Sequence, residues 1–393
     1  MKQLIKRIIK AVTLSFWYPL VYRRHAKKPA EPGLVVFFET KELEMPGSFD
    51  LLHERLSADP SKRVEYITLA QNHVSRFKYY LNGARCLKRL AVAEAIFLDD
   101  ASDLVSCLPM RSETKAVQLW HACGAFKKWG MSTADLKFGG TREEIRRHPF
   151  YGNLSLVTVS SPEVAWAYVE AMDLEGREEI VKPLGVSRTD IFFDESFLMQ
   201  ARARIEAAFP PAKGKKILLY APTFRGHVST ATGPDELDIG AMKRELGGEW
   251  VLLIKHHPFV KHPAPVPEEC EDFAYLVKGG LSIDDLLSAA DACISDYSSI
   301  VFEYSLFLRP MIFFAYDLED YNDWRGFYYG YDEFTPGPVF TTSEEVVDHL
   351  AHLEERFDPG EVKAFRDKFM SACDGHATER VLEWMKEAVF PTR

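Results

Sequence analysis

Ile294-Ser295-Asp296-Tyr297-Ser298-Ser299-Ile300-Val301-Phe302-Glu303 is the stretch that decides the fold. Ala292, Cys293 and Ile294 read as the end of a buried strand, and Ile300 to Leu308 reads as a buried helix. A strand that ends in hydroxyls at the start of a helix makes an anion site. The first backbone N–H groups of the helix lack partners within it, and the helix dipole favours negative charge there. Ser298 and Ser299 add side-chain donors, at the strand edge where α/β sheets take their ligands. Asp296 or Ser298 acting as an ordinary N-cap fits the same residues. The neighbouring motifs favour phosphate.

Working outward, short apolar runs alternate with helical patterns. Leu34–Phe38, Val64–Leu69, Ala95–Leu98, Ala116–Trp120 and Leu154–Val159 form a first series of expected strands. Lys216–Ala221, Trp250–Lys255, Phe273–Val277, Ala292–Ser295 and Met311–Ala315 form a second. Continuous apolar runs belong to parallel sheets covered on both faces. Strands separated by helices indicate βαβ units. At 393 residues the chain is too long for one ordinary core. Glu195 to Phe209 reads as a helix stopped by Pro210-Pro211, and Lys216–Ala221 starts the second series, which puts the boundary within 185–215. The expected division is a segment 1–30, a Rossmann-like acceptor domain 31–190, a Rossmann-like donor domain 191–365 and a C-terminal helix 366–393.

Net charge is −10, but residues 1 to 30 hold eight Lys or Arg and no acid, so the remainder carries −18. A body this acidic argues against sequence-independent nucleic-acid binding, which needs a basic surface. The six cysteines show no CxxC spacing or pairing pattern, as expected of a reduced compartment. Leu4, Ile5, Ile8, Ile9 and Val12 share one helical face, Lys2, Lys6, Arg7 and Lys10 another, and Phe16-Trp17-Tyr18 and a basic cluster follow. The apolar stretch is too short to span a bilayer and lacks a small-residue cleavage site. Apolar face, interfacial aromatics and flanking cations describe a helix lying on an anionic membrane surface. An amphipathic helix packed on the body would show the same periodicity.

Gln118-Leu119-Trp120-His121-Ala122-Cys123-Gly124 places a histidine at a strand's carboxyl end. An imidazole, whose ordinary pKa is near 6.5, can there take a proton from an attacking hydroxyl. Cys123 has no evident partner base, which argues against a thiol nucleophile. Thr223-Phe224-Arg225 and Lys255-His256-His257 end two strands of the second series. Arg225 offers planar donors to phosphate. Neighbouring strand residues point to opposite faces, so one of His256 and His257 faces the site, and no third ligand supports zinc. Arg225, Lys255, His257, Ser298 and Ser299 thus read as a diphosphate cradle. Thr223 and Asp296 lie in the same turns, and Glu303 is placed for ribose hydroxyls or solvent. Asp99, Asp100 and Asp103 read as a helix start or surface turn rather than a metal cluster. Between 321 and 334, seven aromatic residues could stack a base or pack on the C-terminal helix.

QLWHACGAFKKWG (118–130), GVSRTD (185–190), YAPTFRG, KHHP, SDYSSIVFEY, RPMIFFAYDLEDY, RGFYY, PGP and DGHATERV, in this order, resemble the CDP-glycerol glycerophosphotransferase family of teichoic acid and capsule synthesis. The resemblance implies a GT-B fold, two doubly wound domains facing a cleft, and a CDP-glycerol or CDP-ribitol donor. It implies His121 and His257 as the important histidines, with Arg188 of GVSRTD among the binding residues. It also implies peripheral attachment to the cytoplasmic face of the cell membrane, and the N-terminal helix fits a lipid-linked saccharide acceptor. No cofactor and no metal site are expected from the residues, metal dependence itself is not legible, and the acidic body argues against nucleic acid. Two departures, Trp-His-Ala-Cys-Gly for Trp-His-Gly-Thr-Pro and Lys255 for Arg, leave the donor and acceptor subclass open. The alternatives are a GT-B glycosyltransferase using a nucleotide sugar and a non-catalytic membrane adaptor. Glycerol versus ribitol, priming versus polymerisation and oligomeric state are not legible.

Overall fold

A computed structural model describes residues 2–136, 140–227, 230–319, 321 and 326–391. Two compact units are present. The first comprises 1–122, 129–190 and 371–393, and the second comprises 123–128 and 191–370.

The first unit holds a parallel sheet of β1 (Leu34–Glu39), β2 (Arg63–Thr68), β3 (Ala95–Leu98), β4 (Lys115–Gln118), β5 (Leu154–Thr158) and β6 (Val181–Lys182), ordered β2-β1-β3-β4-β5-β6. All of β1 and β3 is buried, as their unbroken apolar runs require of strands covered on both faces. One side of the sheet packs Val35, Phe37, Phe97, Val117 and Leu156 against Val381, Met385 and Val389. The terminal helix Ala377–Ala388 is therefore core of the first unit, not a separate appendage. Asp190 fixes its start by accepting from Ala377 N–H (3.0 Å) and Thr378 N–H (2.7 Å), and Ser187 bonds the Thr378 hydroxyl at 2.8 Å. Residues of the GVSRTD motif thus hold this helix.

The second unit holds β7 (Lys216–Tyr220), β8 (Trp250–Ile254), β9 (Ala274–Leu276), β10 (Ala292–Ser295), β11 (Met311–Phe314) and β12 (Val339–Phe340), all parallel, in the order β12-β11-β10-β7-β8-β9. Read from β9, this is the dinucleotide-binding order 3-2-1-4-5-6. Helix Pro359–Phe369 runs across the expected 365/366 boundary and packs Phe365 and Phe369 on Phe302. The stretch 123–128 belongs to this unit. Lys128 N–H donates to the Gly326 carbonyl (3.2 Å), Tyr328 N–H to that of Phe126 (3.1 Å), and Phe126 stacks on Phe334 at 4.6 Å. Gly124 has φ +64°, and a Cβ there would stand 2.3 Å from the Phe302 ring. Gly337 of the Pro-Gly-Pro run passes so close to β11 that a Cβ would meet the Met311 carbonyl at 2.2 Å.

Helices Lys2–Val12 and Tyr18–His25 are joined by a π-helical turn, Thr13–Trp17. Leu14, Tyr18 and Tyr22 are buried, and Tyr18 donates to the Tyr80 carbonyl at 3.1 Å. Ile5, Ile8, Ile9 and Val12 stand about half exposed (44–53%), with Phe16 at 72% and Leu20 at 68%. One edge packs and the apolar stripe does not. No helix among the described residues is long and apolar enough to cross a membrane.

Candidate functional site

In the first unit the order of strands reverses at β1, whose neighbours are β2 and β3. Ligands bind outside the carboxyl ends of strands at such a reversal. Glu39 ends β1, Asp99 follows β3, and His121 follows β4. All three line one pocket of about 590 Å³, with Lys41, His73 and Asp100. Trp120, in the left-handed region at φ +61°, turns the chain out of the strand. This conformation, uncommon for a bulky residue, is the sort of local strain stored at functional sites. Gln118 holds the turn, accepting from Trp120 N–H (3.2 Å) and donating to the Asp100 carbonyl (3.1 Å). Trp120 stacks on the His121 ring at 4.5 Å and on Trp129 at 5.6 Å.

His121 Nδ1 lies 2.8 Å from the Asp99 carbonyl oxygen. A carbonyl only accepts, so Nδ1 carries the hydrogen and neutral His121 presents a bare Nε2 lone pair. That is the tautomer a general base needs.

The sequence places Asp99 at a helix start or in a surface turn. Asp99 is only 6% exposed. Burial, then the charge of Glu39 and a hydrogen bond with it, pushes the Asp99 carboxyl up to about 8, against the Ser48 hydroxyl bonded at 3.1 Å. Glu39 in turn accepts from the Lys41 N–H (2.6 Å) and the Glu42 N–H (3.1 Å). Asp100 pairs with Lys41, and Asp103 alone opens a helix, Asp103–Ser106. The only sequence signal for Asp99 was its place directly after a fully buried strand.

In the second unit the reversal falls between β7 and β10, flanked by β8. The turns after these strands carry Thr223 and Arg225, Lys255 and His257, and Asp296, Ser298 and Ser299, the residues expected at one sheet edge. Their roles divide. Asp296 is 1% exposed and accepts from Thr223 N–H (2.8 Å), Thr223 Oγ1 (3.0 Å) and Tyr297 N–H (2.6 Å). It caps no helix and faces no solvent. Arg225, expected to grip phosphate, gives Nε and Nη2 to Asp317 (2.5 and 2.9 Å) and Nη1 to the carbonyl and hydroxyl of Thr223 (both 2.9 Å). Four of its five N–H groups are used, and its Nη1 also lies 3.0 Å from Asp296. Tyr297, Tyr316 and Tyr321 surround the guanidinium at 5.2–5.4 Å. Burial opposes its charge, but Asp296 and Asp317 hold it above the usual arginine range. Arg225 is a strut that ties three turns together.

The aromatic run shares that work. Tyr297 donates to Asp317 (2.9 Å) and stacks on Tyr321 at 3.9 Å, and Tyr331 donates to the Asp296 carbonyl at 2.9 Å. The run also packs on the end of helix Pro359–Phe369, Tyr329 and Phe334 meeting Phe369 at 5.4 and 5.6 Å. Trp324 and Arg325 lie outside the described residues.

Lys255, His257, Ser298 and Ser299 are half-buried at the edge. His257 Nδ1 accepts the Phe259 N–H at 3.2 Å, so neutral His257 carries its hydrogen on Nε2 and presents a donor. Phe224 and Phe259 flank its ring at 4.9 and 4.5 Å. Burial lowers the Lys255 pKa. The helix after the serines is shorter than expected, Ile300–Ser305, and its first N–H is met weakly by Ser298 Oγ at 3.4 Å. Glu303 is 2% exposed, not in solvent. Arg188 lies in the first unit, in the 3-10 segment Ser187–Phe193, apart from the cradle residues in sequence and unit. No group of three or more His, Cys, Asp or Glu side chains among the described residues is placed to hold a metal ion.

Each of the two units is a doubly wound parallel α/β sheet with polar turns at its strand reversal. The fold is that of the wall teichoic acid polymerase TagF, with a TM-score of 0.78 at 21% identity over 98% of this chain and 95% of that one. UDP-N-acetylglucosamine 2-epimerase follows at a TM-score of 0.57 and 12% identity, covering 92% of this chain and 98% of that one. The chain belongs to the CDP-glycerol:poly(glycerophosphate) glycerophosphotransferase family, whose model matches residues 20–387. It is 34% identical to the teichoic acid ribitol-phosphate primase of Bacillus spizizenii over 98% of both chains. It is also 34% identical to the ribitol-phosphate polymerase TarL of Staphylococcus aureus, over 91% of this chain but 62% of TarL.

Proposed function

We propose that the protein transfers a polyol phosphate from a CDP-alditol to a hydroxyl of a saccharide or growing polyol-phosphate chain, releasing CMP, in teichoic acid synthesis. One observation carries the mechanism: the two histidines are held in opposite tautomers, His121 with a bare Nε2 and His257 with an Nε2–H. An acceptor oxygen attacks the phosphorus that bears the alditol, and its proton passes to His121 Nε2. The bond from that phosphorus to the bridging oxygen breaks, and CMP leaves with the electron pair. His257 Nε2–H, Lys255, Ser298 and Ser299 offset the charge that grows on the leaving phosphate. Such a reaction runs on positioning and electrostatics. The acid-rich pocket at His121 suits a polyhydroxyl acceptor, since carboxylates accept hydrogen bonds from hydroxyls.

Ribitol is the favoured alditol. Four ribitol-phosphate primases and polymerases match at 33–35% identity, and the glycerol-phosphate enzymes at 26–29%. The test is incubation with CDP-ribitol and, separately, CDP-glycerol, plus a short saccharide acceptor, read by mass spectrometry. Whole ribitol-phosphate units on the acceptor with equal CMP support the reading. A nucleoside diphosphate and a glycosidic product from a nucleotide sugar would replace it.

The exposed stripe from Ile5 to Leu20 supports attachment as a peripheral protein at an anionic membrane surface, on the cytoplasmic side where nucleotide-linked donors are found. Flotation with phosphatidylglycerol vesicles should carry the full chain and fail for Ile8→Glu/Phe16→Glu. A full chain that stays at the bottom of the gradient refutes the attachment.

A further inference from the structure

Beside His121, within the first unit, stand two buried acids that the transfer step does not use, Glu39 and Asp99. Glu39 accepts from the Lys41 N–H at 2.6 Å and the Glu42 N–H at 3.1 Å. The Asp99 carboxyl bonds to Glu39 and accepts from the Ser48 hydroxyl at 3.1 Å. Two carboxyl groups bond to each other only with a proton between them, because ionised carboxylates accept and do not donate. Glu39 already takes two backbone N–H groups, so the proton lies on Asp99. The other titratable groups around the pair leave it in place. Asp100, on the same turn, adds to the upward push on Asp99. Lys41 pairs with Asp100, and His73 Nε2 lies 2.8 Å from Glu42, so both meet carboxylates other than Asp99. Glu44 lines the same pocket. Tyr66, on β2, is pushed up to about 12 by burial and then by the charges of Glu39 and Asp99.

The same residue that holds this proton sets the His121 tautomer, since the Asp99 carbonyl accepts from His121 Nδ1–H at 2.8 Å. Whatever fixes the Asp99 side chain therefore fixes the carbonyl that orients the base. The pair also ties down both ends of the loop after β1. Glu39 holds the N–H groups of Lys41 and Glu42 at its start, and Ser48 at its end bonds to Asp99. Between those anchors, Leu43, Met45 and Pro46 line the pocket with His121.

We propose that Glu39, Asp99 and Ser48 are positioning residues for His121: one proton between the two carboxyl groups holds the Asp99 carbonyl against Nδ1 and the loop 41–48 against the pocket, and its loss drives the acids apart and frees the imidazole to turn. The inference rests on His121 as the base and adds the device that aims it. Turnover then needs His121 neutral and Asp99 protonated. It falls as pH rises through about 8, where the buried Asp99 carboxyl loses its proton.

The experiment is the pH profile of kcat for CMP release from CDP-ribitol, on full-length protein shown by circular dichroism to stay folded. Wild type should lose about tenfold or more between pH 7 and pH 9.5, and Asp99→Asn, with no proton to lose, less than about twofold. Glu39→Gln removes the charge that keeps the proton on and should move the alkaline fall to lower pH. Ser48→Ala removes a donor to the ionised form and should move it to higher pH. Wild type without an alkaline fall, or Asp99→Asn with the same fall, overturns the proposal. Histidine-selective 15N NMR without substrates, with the His121 signal identified by its loss in His121→Ala, reads the tautomer apart from turnover. Hydrogen on Nδ1 should dominate at pH 7.5, give way by pH 9.5 in wild type and persist in Asp99→Asn. A His121 tautomer that ignores pH overturns the positioning role and leaves the base assignment standing. A tautomer that follows the Asp99 proton while His121→Ala turns over like wild type upholds the positioning and removes the base.

Discussion

Asp99→Asn should stabilise the protein at neutral pH, and its effect should grow with pH. An unfolded aspartate titrates near 3.9, while the folded carboxyl is pushed up to about 8, first by burial and then by Glu39. Between those values the folded chain holds a proton that the unfolded chain has released. Folding takes up a proton, and stability falls as pH rises through the window from about 4 to 8. At 1.36 kcal/mol per unit, the cost at pH 7 has a ceiling of ~4 kcal/mol. Asparagine needs no proton, donates to Glu39 as the protonated acid does, and can accept from Ser48. Relaxation around a carboxylate lowers the ceiling, and a gain of roughly 2 kcal/mol at pH 7 is a realistic expectation. The assay is urea unfolding at pH 5 and pH 8 followed by tryptophan fluorescence, for which five of the seven tryptophans lie in the first unit. The gap between variant and wild type should widen from pH 5 to pH 8. A gap that stays constant, or a destabilised variant at pH 8, refutes the buried protonated acid.

The other predictions probe the second unit. Asp317→Ala leaves the Arg225 guanidinium without its bidentate partner and Tyr297 without its acceptor, and should cost about 3 kcal/mol in chemical denaturation, as breaking a buried pair does; a loss under 1 kcal/mol would show that Arg225 is no strut. Gly124→Ala forces a side chain into the left-handed region and against the Phe302 ring, so the melting temperature should fall by several degrees for about 1–3 kcal/mol; an unchanged melting curve contradicts the close approach. His257→Ala removes one donor to a charged phosphate and should weaken CDP binding in calorimetry roughly tenfold, a hydrogen bond to a charged group contributing about 1.5–3 kcal/mol; unchanged affinity would take His257 out of the donor site.

The parallel sheets were legible because strands buried on both faces leave unbroken apolar runs. All ten expected strands are present within a residue or two at each end. The two that sequence reading passed over, β6 and β12, are two-residue edge strands that carry no such run. Residue chemistry at the sheet edges was legible, and division of labour was not. Arg225 looks like a phosphate ligand until Asp317, 92 positions away, is found beside it. Asp99 looks like a surface turn because nothing local announces Glu39 next to it. The aromatic run offered stacking or packing, and its use as a cage around an arginine depended on Tyr297 from another turn. Tautomers lie further still from sequence, since one backbone carbonyl and one backbone N–H decide which nitrogen of each histidine is bare.

The central claim, that His121 is the base for polyol-phosphate transfer, is tested most directly by His121→Ala assayed for CMP release from CDP-ribitol, with CDP affinity measured alongside by calorimetry. A positioned general base contributes roughly 10²–10⁴-fold. The account predicts a fall in kcat of that size with CDP affinity within about twofold of wild type. Turnover within tenfold of wild type, or loss of CDP binding in step with turnover, would contradict it.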